Sequence, residues 1–154
     1  MIAQILLAWV YGHIFEYLVH RYLLHNHKYF RAAFRNHFRT HHKIARKNNM
    51  YDVGYKNLLS SKFEVLSLTF AAIIHLPLLW IFPYAYGTLV FSLLVYYIAH
   101  RKSHTDVEWG KKWMPWHYSH HMGKDQHTNW GVRLPIVDYA VNYLSGNKPI
   151  KKHI

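Results

Sequence analysis

The chain has 154 residues, with 19 Lys and Arg against 7 Asp and Glu, a formal net charge of +12, 15 His and no Cys. This length indicates one domain, and the lack of cysteine excludes disulfides, thiolate-bound zinc or iron–sulfur clusters, and a thiol nucleophile. Hydrophobic residues make up 51% of the chain, too many for a disordered basic tail. The unusual feature is histidine, because neutral imidazole is the commonest metal ligand among side chains.

The first apolar segment runs from Met1 to Val19, and its only ionisable side chains are His13 and Glu16. It lacks the basic start and the small-residue cleavage site of a signal peptide. We therefore expect a retained membrane helix over residues 2–19. An ionisable side chain inside a membrane helix indicates a functional role, so we expect His13 either to bind the metal directly or to line the access path.

The second apolar segment has no Lys, Arg, Asp or Glu in the 35 positions from Val65 to Ala99. As one helix it would reach ~50 Å, against ~30 Å for the hydrocarbon core of a bilayer. Pro83 and Gly87 interrupt the run, which predicts a hairpin of two membrane helices over residues 64–82 and 84–99. Ser61-Lys62-Phe63-Glu64 has the spacing of a capping box at the start of this hairpin.

All basic residues lie outside these apolar stretches, in residues 20–63 and 100–154. A hairpin returns the chain to the side it left, so both basic segments face the same side, and the positive-inside rule makes that side cytoplasmic. The charge then marks membrane topology, with no role for nucleic acid, which would need a basic face on a soluble fold. A soluble protein that buries these stretches as core helices does not account for the 35-residue run.

Ten of the fifteen histidines form four groups with the spacings H-x4-H, H-x3-HH, H-x3-H and H-x2-HH. The groups are His20 and His25; His37, His41 and His42; His100 and His104; and His117, His120 and His121. Residues three or four apart share a helix face, so three sets are each expected to aim imidazoles at a common point: His37 with His41, His100 with His104, and His117 with His120 and His121. Pro115 and Gly123 are typical start and stop signals for a helix that carries the last group.

His20 and His25 are about 140° apart on an ideal helix at 3.6 residues per turn. This pair therefore either straddles a distorted helix end or serves two metals. Ten donors exceed the roughly four to six that one ion takes, which predicts two metal ions, and an all-nitrogen set suits iron or zinc.

The other histidines are predicted to be less specific. We expect His27, His127 and His153 to be solvated or hydrogen-bonded on the cytoplasmic face. His75 lies alone in the second membrane helix, where it either makes a helix-packing hydrogen bond or has a role in a substrate channel.

The order of these groups, with a membrane hairpin after the second, resembles the fatty acid hydroxylase and sterol desaturase superfamily of integral membrane di-metal oxygenases. The resemblance runs from residue 16 to about residue 146 and is most specific in residues 16–21 and 116–121, in Asn129-Trp130-Gly131 and in Asp138. It implies that all ten grouped histidines ligate two metal ions. Many relatives have four membrane helices and H-x2-HH as the second group, and this chain departs from both patterns.

The fold implied by the resemblance is all-α: residues 1–154 form one domain, an integral membrane bundle of about three transmembrane helices. A cytoplasmic helical cap rich in histidine holds the di-metal site.

The implied activity is hydroxylation or desaturation of an unactivated C–H bond in a lipid such as a fatty acyl chain, sterol or carotenoid. Such a bond offers no proton to a base, so a redox metal with O2 is needed in place of acid–base residues; two iron ions are expected, with zinc possible as isolated. The alternative is a non-catalytic membrane protein that binds or transports metal. Transport ligands should lie along a path within the spans, whereas these lie outside them.

Four carboxylates lie within four residues of a grouped histidine: Glu16, Asp106, Glu108 and Asp125. We expect Glu16, Asp106 and Asp125 to accept the second N–H of a ligating imidazole; salt bridges with Arg101 or Lys124 are the ordinary alternative for the two aspartates.

Electrons are expected from an external electron-transfer protein or reductase, because the chain leaves no room for a haem, flavin or nicotinamide domain. The basic cytoplasmic face suits an acidic partner. A basic amphipathic helix over residues 28–44, with Lys28, Arg31, Arg35 and Arg39 on one side, is more typical of contact with anionic lipid headgroups.

Overall fold

The computed structural model describes residues 1–145, and within that range the chain forms helices and loops without a strand. His153 lies outside the described residues, as does the end of the predicted cytoplasmic segment 100–154. The helices, in chain order, are α1 (Ile2–Leu18), α2 (Arg31–Phe34), α3 (His42–Lys47), α4 (Lys62–Ile74), α5 (Leu78–Ile81), α6 (Pro83–Thr105), α7 (Val107–Trp113), α8 (Pro115–Met122) and α9 (Ile136–Leu144).

Two stretches of the chain wind more widely than an α-helix. α1 continues without a break into a π-helical segment, π1 (Val19–Leu24), and a second one, π2 (Arg35–His41), joins α2 to α3. A π-helix bonds residue i to residue i+5, is rare, and occurs frequently at functional sites. Both segments carry grouped histidines.

A helical hairpin is present, in which α4 and α5 pack against α6, but its breaks differ from those expected. Pro83 starts α6 at the first helical position, as a proline can, whereas Gly87 lies inside α6 and breaks nothing. A further break separates α4 from α5 at Pro77, which has no N–H to continue the helix and disfavours helical backbone at Leu76. The helix predicted over residues 64–82 is therefore two helices, and the 13 residues of α4 reach only ~20 Å.

Among the described helices, one is long and apolar enough to cross a membrane, the 23-residue span Ile2–Leu24. Three transmembrane helices are therefore not confirmed. α4 is too short alone, and the apolar character of α6 is diluted by its tyrosines and by the polar residues of its last turns.

The helices pack around α6. α1 lies along α6, α4 and α5 cover another side of it, and α7 folds back on its end. The return of α7 requires glycine at position 110, because a Cβ there would lie 2.9 Å from the carbonyl oxygen of Ser103. The most deeply buried large side chains of this bundle are mostly imidazoles: His20, His42, His100, His104, His117, His120 and His121 are each at most 1% exposed.

Candidate metal centre

All ten grouped histidines converge in one buried centre, where none is more than 7% exposed. Their ligand nitrogens form two sets, within each of which the atoms lie within 4.8 Å of one another. Site 1 is formed by His20, His25, His37, His42 and His120, and site 2 by His41, His100, His104 and His121. The tenth, His117, adjoins site 2, with its Nε2 3.3 Å from Nε2 of His104. The two sites adjoin, since the rings of His42 and His121 stack at 4.0 Å.

Site membership does not follow the groups in the sequence. His37 and His42 are five residues apart and share site 1, whereas His41 belongs to site 2. The prediction that His37 and His41 aim at a common point is therefore wrong, because π2 brings residues five apart onto one face. His20 and His25 share site 1 for the same reason: π1 is the distorted helix end, and the alternative of two metals for this pair is wrong.

α8 serves both sites. His120 belongs to site 1 and His121 to site 2, so the predicted common point is also wrong for the last group. Consecutive residues on an α-helix are about 100° apart, which is how one helix reaches two adjoining sites. His100 and His104, one turn apart on α6, share site 2 as predicted. α8 begins at Pro115 and ends before Gly123, also as predicted.

In site 2, three of the four histidines have their outer ring nitrogen bound to an oxygen acceptor, and the exception is His121, whose Nδ1 has no partner among the described residues. The pairs are His41 Nδ1 with Asp52 Oδ2 at 2.7 Å, His100 Nδ1 with Glu64 Oε1 at 2.7 Å, and His104 Nδ1 with the Met50 carbonyl at 2.8 Å. A carboxylate or carbonyl oxygen only accepts, so Nδ1 carries the proton and Nε2 keeps its lone pair. Hydrogen bonds from the outer nitrogen of an imidazole to such oxygens orient the ring so that its inner nitrogen can bind a metal.

Site 1 follows the same rule. The pairs are His20 Nδ1 with the Trp130 carbonyl at 2.6 Å, His120 Nδ1 with the Thr128 carbonyl at 2.6 Å, and His42 Nδ1 with Gln126 Oε1 at 2.8 Å. The inner nitrogens crowd together: Nε2 of His37 lies 2.9 Å from that of His20 and 3.2 Å from that of His42. Crowded lone pairs of neutral imidazoles are the arrangement that a cation stabilises.

Several inner nitrogens are buried without any hydrogen-bond partner among the described residues. They are the Nε2 atoms of His41, His100, His120 and His121. A buried polar atom without a partner costs free energy, and a native protein rarely keeps four of them in one place. Burial also lowers the pKa of His117, His120 and His121, and neighbouring histidines lower it further, so these rings are neutral, the form that binds metal. The donor set thus fits metal ions.

The Asn-Trp-Gly stretch is a scaffold for site 1. Asn129 has φ 59°, a left-handed conformation that asparagine tolerates, and a Cβ on Gly131 would lie 2.4 Å from the Leu134 carbonyl oxygen. The Asp138 carboxylate accepts the N–H groups of Trp130 and Gly131, both at 2.8 Å. This loop is thereby fixed with the Trp130 carbonyl facing the His20 ring.

The two predicted aspartates have other roles in the structure. Asp106 caps α7 by accepting the N–H of Trp109 at 3.1 Å and pairs with Lys102, and Asp125 accepts the N–H of His127 at 2.8 Å in an exposed turn. Neither carboxylate contacts a grouped histidine in residues 1–145, so both predictions are corrected: short polar side chains at these positions bond to the nearest backbone N–H.

Glu16 is buried but binds Arg133 and the backbone N–H groups of Val132 and Arg133, in place of an imidazole. The carboxylates that hold imidazoles are Asp52 and Glu64, which the sequence did not single out for this role. Asp52 is 11 residues from His41, and Glu64 is 36 from His100, so proximity in the chain gives no signal for either. Ser61 does precede α4 as N-cap, but Glu64 turns away from it to His100.

Replacing Asp52 by alanine is expected to lower the metal affinity of site 2 by roughly 10- to 100-fold, because His41 loses the acceptor that fixes its ring. Site 1 should keep its metal. The measurement is metal content after dialysis against graded chelator. Asp106→Ala is the matched control, since that carboxylate lies at the surface, and equal retention in the two variants would contradict the role of Asp52.

The remaining histidines lie outside both sites. His27 and His127 are exposed, as expected. His13 is buried on α1 with its ring edge-on to Trp9 at 4.6 Å. His75 bonds to Tyr11, which confirms the helix-packing hydrogen bond, and it also lines the wall of a cavity.

An apolar cavity of about 670 Å³ ends at the metal centre. It lies between α1, α4 and α6, with mostly aliphatic and aromatic walls, and His20, His37 and His41 face it at one end. Its volume falls within the range of ligand pockets, roughly 300–1,000 Å³. The centre is therefore reached from an apolar space, which suits an apolar substrate.

A family model described as fatty acid hydroxylase matches residues 5–143 of the chain. No curated protein and no solved structure matches the chain. The matched region contains all ten grouped histidines, Asp52, Glu64 and the Asn-Trp-Gly loop. The chain therefore belongs to the fatty acid hydroxylase family, within the fatty acid hydroxylase and sterol desaturase superfamily.

Proposed function

We propose that this protein is a membrane-bound di-iron oxygenase that hydroxylates or desaturates a lipid with O2 and external electrons. The observation that carries the proposal is an apolar cavity that ends at two adjoining sites made of imidazole nitrogens. A hydroxylase family and a histidine centre are consistent with an oxidoreductase.

The ligand set favours iron over most alternatives. Magnesium and calcium prefer oxygen ligands, whereas imidazole suits iron and zinc. Zinc has no redox chemistry, so a protein isolated with zinc would need iron for this reaction. Iron bound at the two sites would supply the activation of O2 that attack on an unactivated C–H bond requires.

The chain's own residues position the substrate. The aliphatic and aromatic walls of the cavity hold an alkyl chain against the end where His20, His37 and His41 lie, and they keep water out. Tyr55 lines this end and stacks on His104 with ring centroids 5.3 Å apart. The proposed role of Tyr55 is to shape the cavity beside site 2 while packing the imidazoles in place.

A membrane location is supported by the exposed apolar surface. Leu7 on α1, Phe70 on α4, Trp80 on α5 and Phe91 on α6 are each more than 60% exposed. Large exposed apolar areas are unusual on soluble monomers. We propose that α1 spans the bilayer with π1 at its cytoplasmic end, and that α4, α5 and the part of α6 before His100 form a membrane hairpin. The metal centre then lies on the cytoplasmic face, where the basic residues lie.

Reduction is assigned to an external electron-transfer protein or reductase, since the chain has no cysteine for an iron–sulfur centre. Lys28, Arg31, Arg35 and Arg39 are all exposed and form a basic ridge along α2 and π2. This ridge suits anionic headgroups, and the wider basic face suits an acidic donor protein. A metal transporter is disfavoured, because its ligands should follow a path and these converge in one buried centre.

The function is tested by adding O2 and a competent reductant to protein reconstituted with iron in lipid. We expect close to two iron ions per chain and a lipid product that forms only with O2, with an oxygen atom from 18O2 in any hydroxyl group. Comparing the lipids of cells with and without the gene would identify the substrate. Stoichiometric iron without an O2-dependent product would contradict catalysis.

A further inference from the structure

A second cavity continues the line of the first. It measures about 550 Å³ and lies between the first half of α1, the turn after α4, α5 and the start of α6. The two cavities share four lining residues: Tyr11, Ile74, His75 and Leu89. Of these two cavities, the first is lined by grouped histidines and the second is not, so we interpret the four shared residues as a partition between a near and a far compartment.

The polar part of the partition is a single hydrogen bond between α1 and the turn after α4. The Tyr11 hydroxyl lies 2.8 Å from His75 Nε2, and His75 Nδ1 lies 2.7 Å from the Ala71 carbonyl oxygen. Since a carbonyl only accepts, His75 Nδ1 donates and Nε2 accepts from Tyr11. Phe15 packs edge-on against His75, with ring centroids 5.3 Å apart. Three aromatic side chains thus pack together where the two cavities meet.

The residue types of Tyr11 and His75 indicate that the partition is more than a simple apolar seal. A seal between two apolar cavities needs only apolar side chains, whereas this pair is polar. Tyr11 is 43% exposed and His75 is half-buried, so their bond can break without the full cost of leaving buried polar groups unpaired. A neutral hydrogen bond whose one partner lies in a turn between α4 and α5 can also separate, when His75 moves with that turn. The pair therefore combines a closed state with a means of opening.

The positions of the lining residues along α1 indicate how long a substrate chain each cavity can hold. Tyr11 lies nine residues before His20, or ~14 Å along the helix, and Gln4, which lines the far cavity, lies another ~10 Å away. A chain that starts at the histidines meets the partition first. Opening the partition would extend the space for the chain by ~10 Å, which is more than half of the ~14 Å between His20 and Tyr11.

We propose that Tyr11 and His75 form the floor of the metal-facing cavity and set the length of the lipid chain it accepts, with the far cavity as an extension. This inference rests on the proposed function, in which an alkyl chain occupies the near cavity. It assigns His75 to the substrate channel and makes its helix-packing bond the closing element.

The test uses variants of the full-length protein in lipid nanodiscs. Tyr11→Ala and His75→Ala open the partition, whereas Tyr11→Phe removes the hydroxyl and keeps the ring. Tyr84→Ala is the matched control, a half-exposed tyrosine on α6 that lines neither cavity. Binding is measured without turnover, as the rise in melting temperature caused by saturated fatty acids from laurate to behenate.

We expect the wild type and Tyr84→Ala to share one optimal chain length, with less stabilisation by longer chains. Tyr11→Ala and His75→Ala should shift the optimum to longer chains, and Tyr11→Phe should shift it less because the ring still fills the opening. An unchanged optimum in both alanine variants, with unliganded melting temperatures showing that they fold, would overturn the proposal, as would no stabilisation of the wild type at any length. Failure of the function itself would appear separately, as an iron-loaded wild type without an O2-dependent product.

Discussion

Replacing His120 by alanine should empty site 1 and leave site 2 loaded, and replacing His121 should do the reverse. The two residues are neighbours on α8 but belong to different sites, and the Nε2 atoms of both are buried without a partner. Each variant is expected to hold about one metal ion per chain, and the double variant almost none. Product formation should fall by ~100-fold or more in each variant. Removing a group that only hydrogen-bonds to a metal ligand already lowers metal affinity or activity by roughly 10- to 100-fold, and here the ligand itself is removed.

The variants are compared by elemental analysis of their metal content and by the activity assay. His27→Ala serves as control, since that histidine is exposed and belongs to neither site. A loss of metal that is equal and complete in both single variants would show that the ten histidines form one indivisible centre and would contradict the division into two sites.

Replacing Glu16 by alanine should destabilise the protein by about 3–5 kcal/mol, the usual cost of leaving one member of a buried ion pair alone. Glu16 and Arg133 pair with side chains only 7% and 8% exposed, and Glu16 also accepts the N–H of Arg133 at 3.0 Å. These bonds tie α1 to the segment after the Asn-Trp-Gly loop. Their loss should also loosen the Trp130 carbonyl that holds His20, so site 1 should lose affinity for metal.

The expected result is measured by unfolding in detergent and by metal retention. Glu108→Ala is the matched control, because Glu108 pairs with Lys111 at the surface with its side chain 82% exposed, and we expect no measurable change there. Arg133→Ala added to Glu16→Ala should cost much less than the two single changes together. Additive costs would show that the pair does not act as a unit.

Features with a local signal could be predicted from the sequence. The bounds of α8 follow from Pro115 and Gly123, and the shared site of His100 and His104 follows from their spacing on a regular helix. The break at Pro77 has a local signal as well, since proline interrupts a helix, but the prediction placed the break at Pro83 and Gly87.

The division of the histidines between two sites could not be predicted from α-helical periodicity. π1 and π2 change the number of residues per turn where the ligands lie, and the spacing of the histidines alone does not indicate that change. The acceptors for the imidazoles could not be predicted either. Three of them are the backbone carbonyls of Met50, Thr128 and Trp130, and since every residue has a backbone carbonyl, the residue type does not identify these acceptors.

The burial of the ten imidazoles has a consequence for the kinetics of metal exchange. The cavity that reaches them has apolar walls, which oppose the passage of a hydrated dication. An ion then enters or leaves only when the helices part locally, and the rate of that motion limits the exchange. Tight retention of metal during purification would accordingly reflect slow opening as much as affinity. The metal found in the isolated protein would then be the ion that was available while the chain folded.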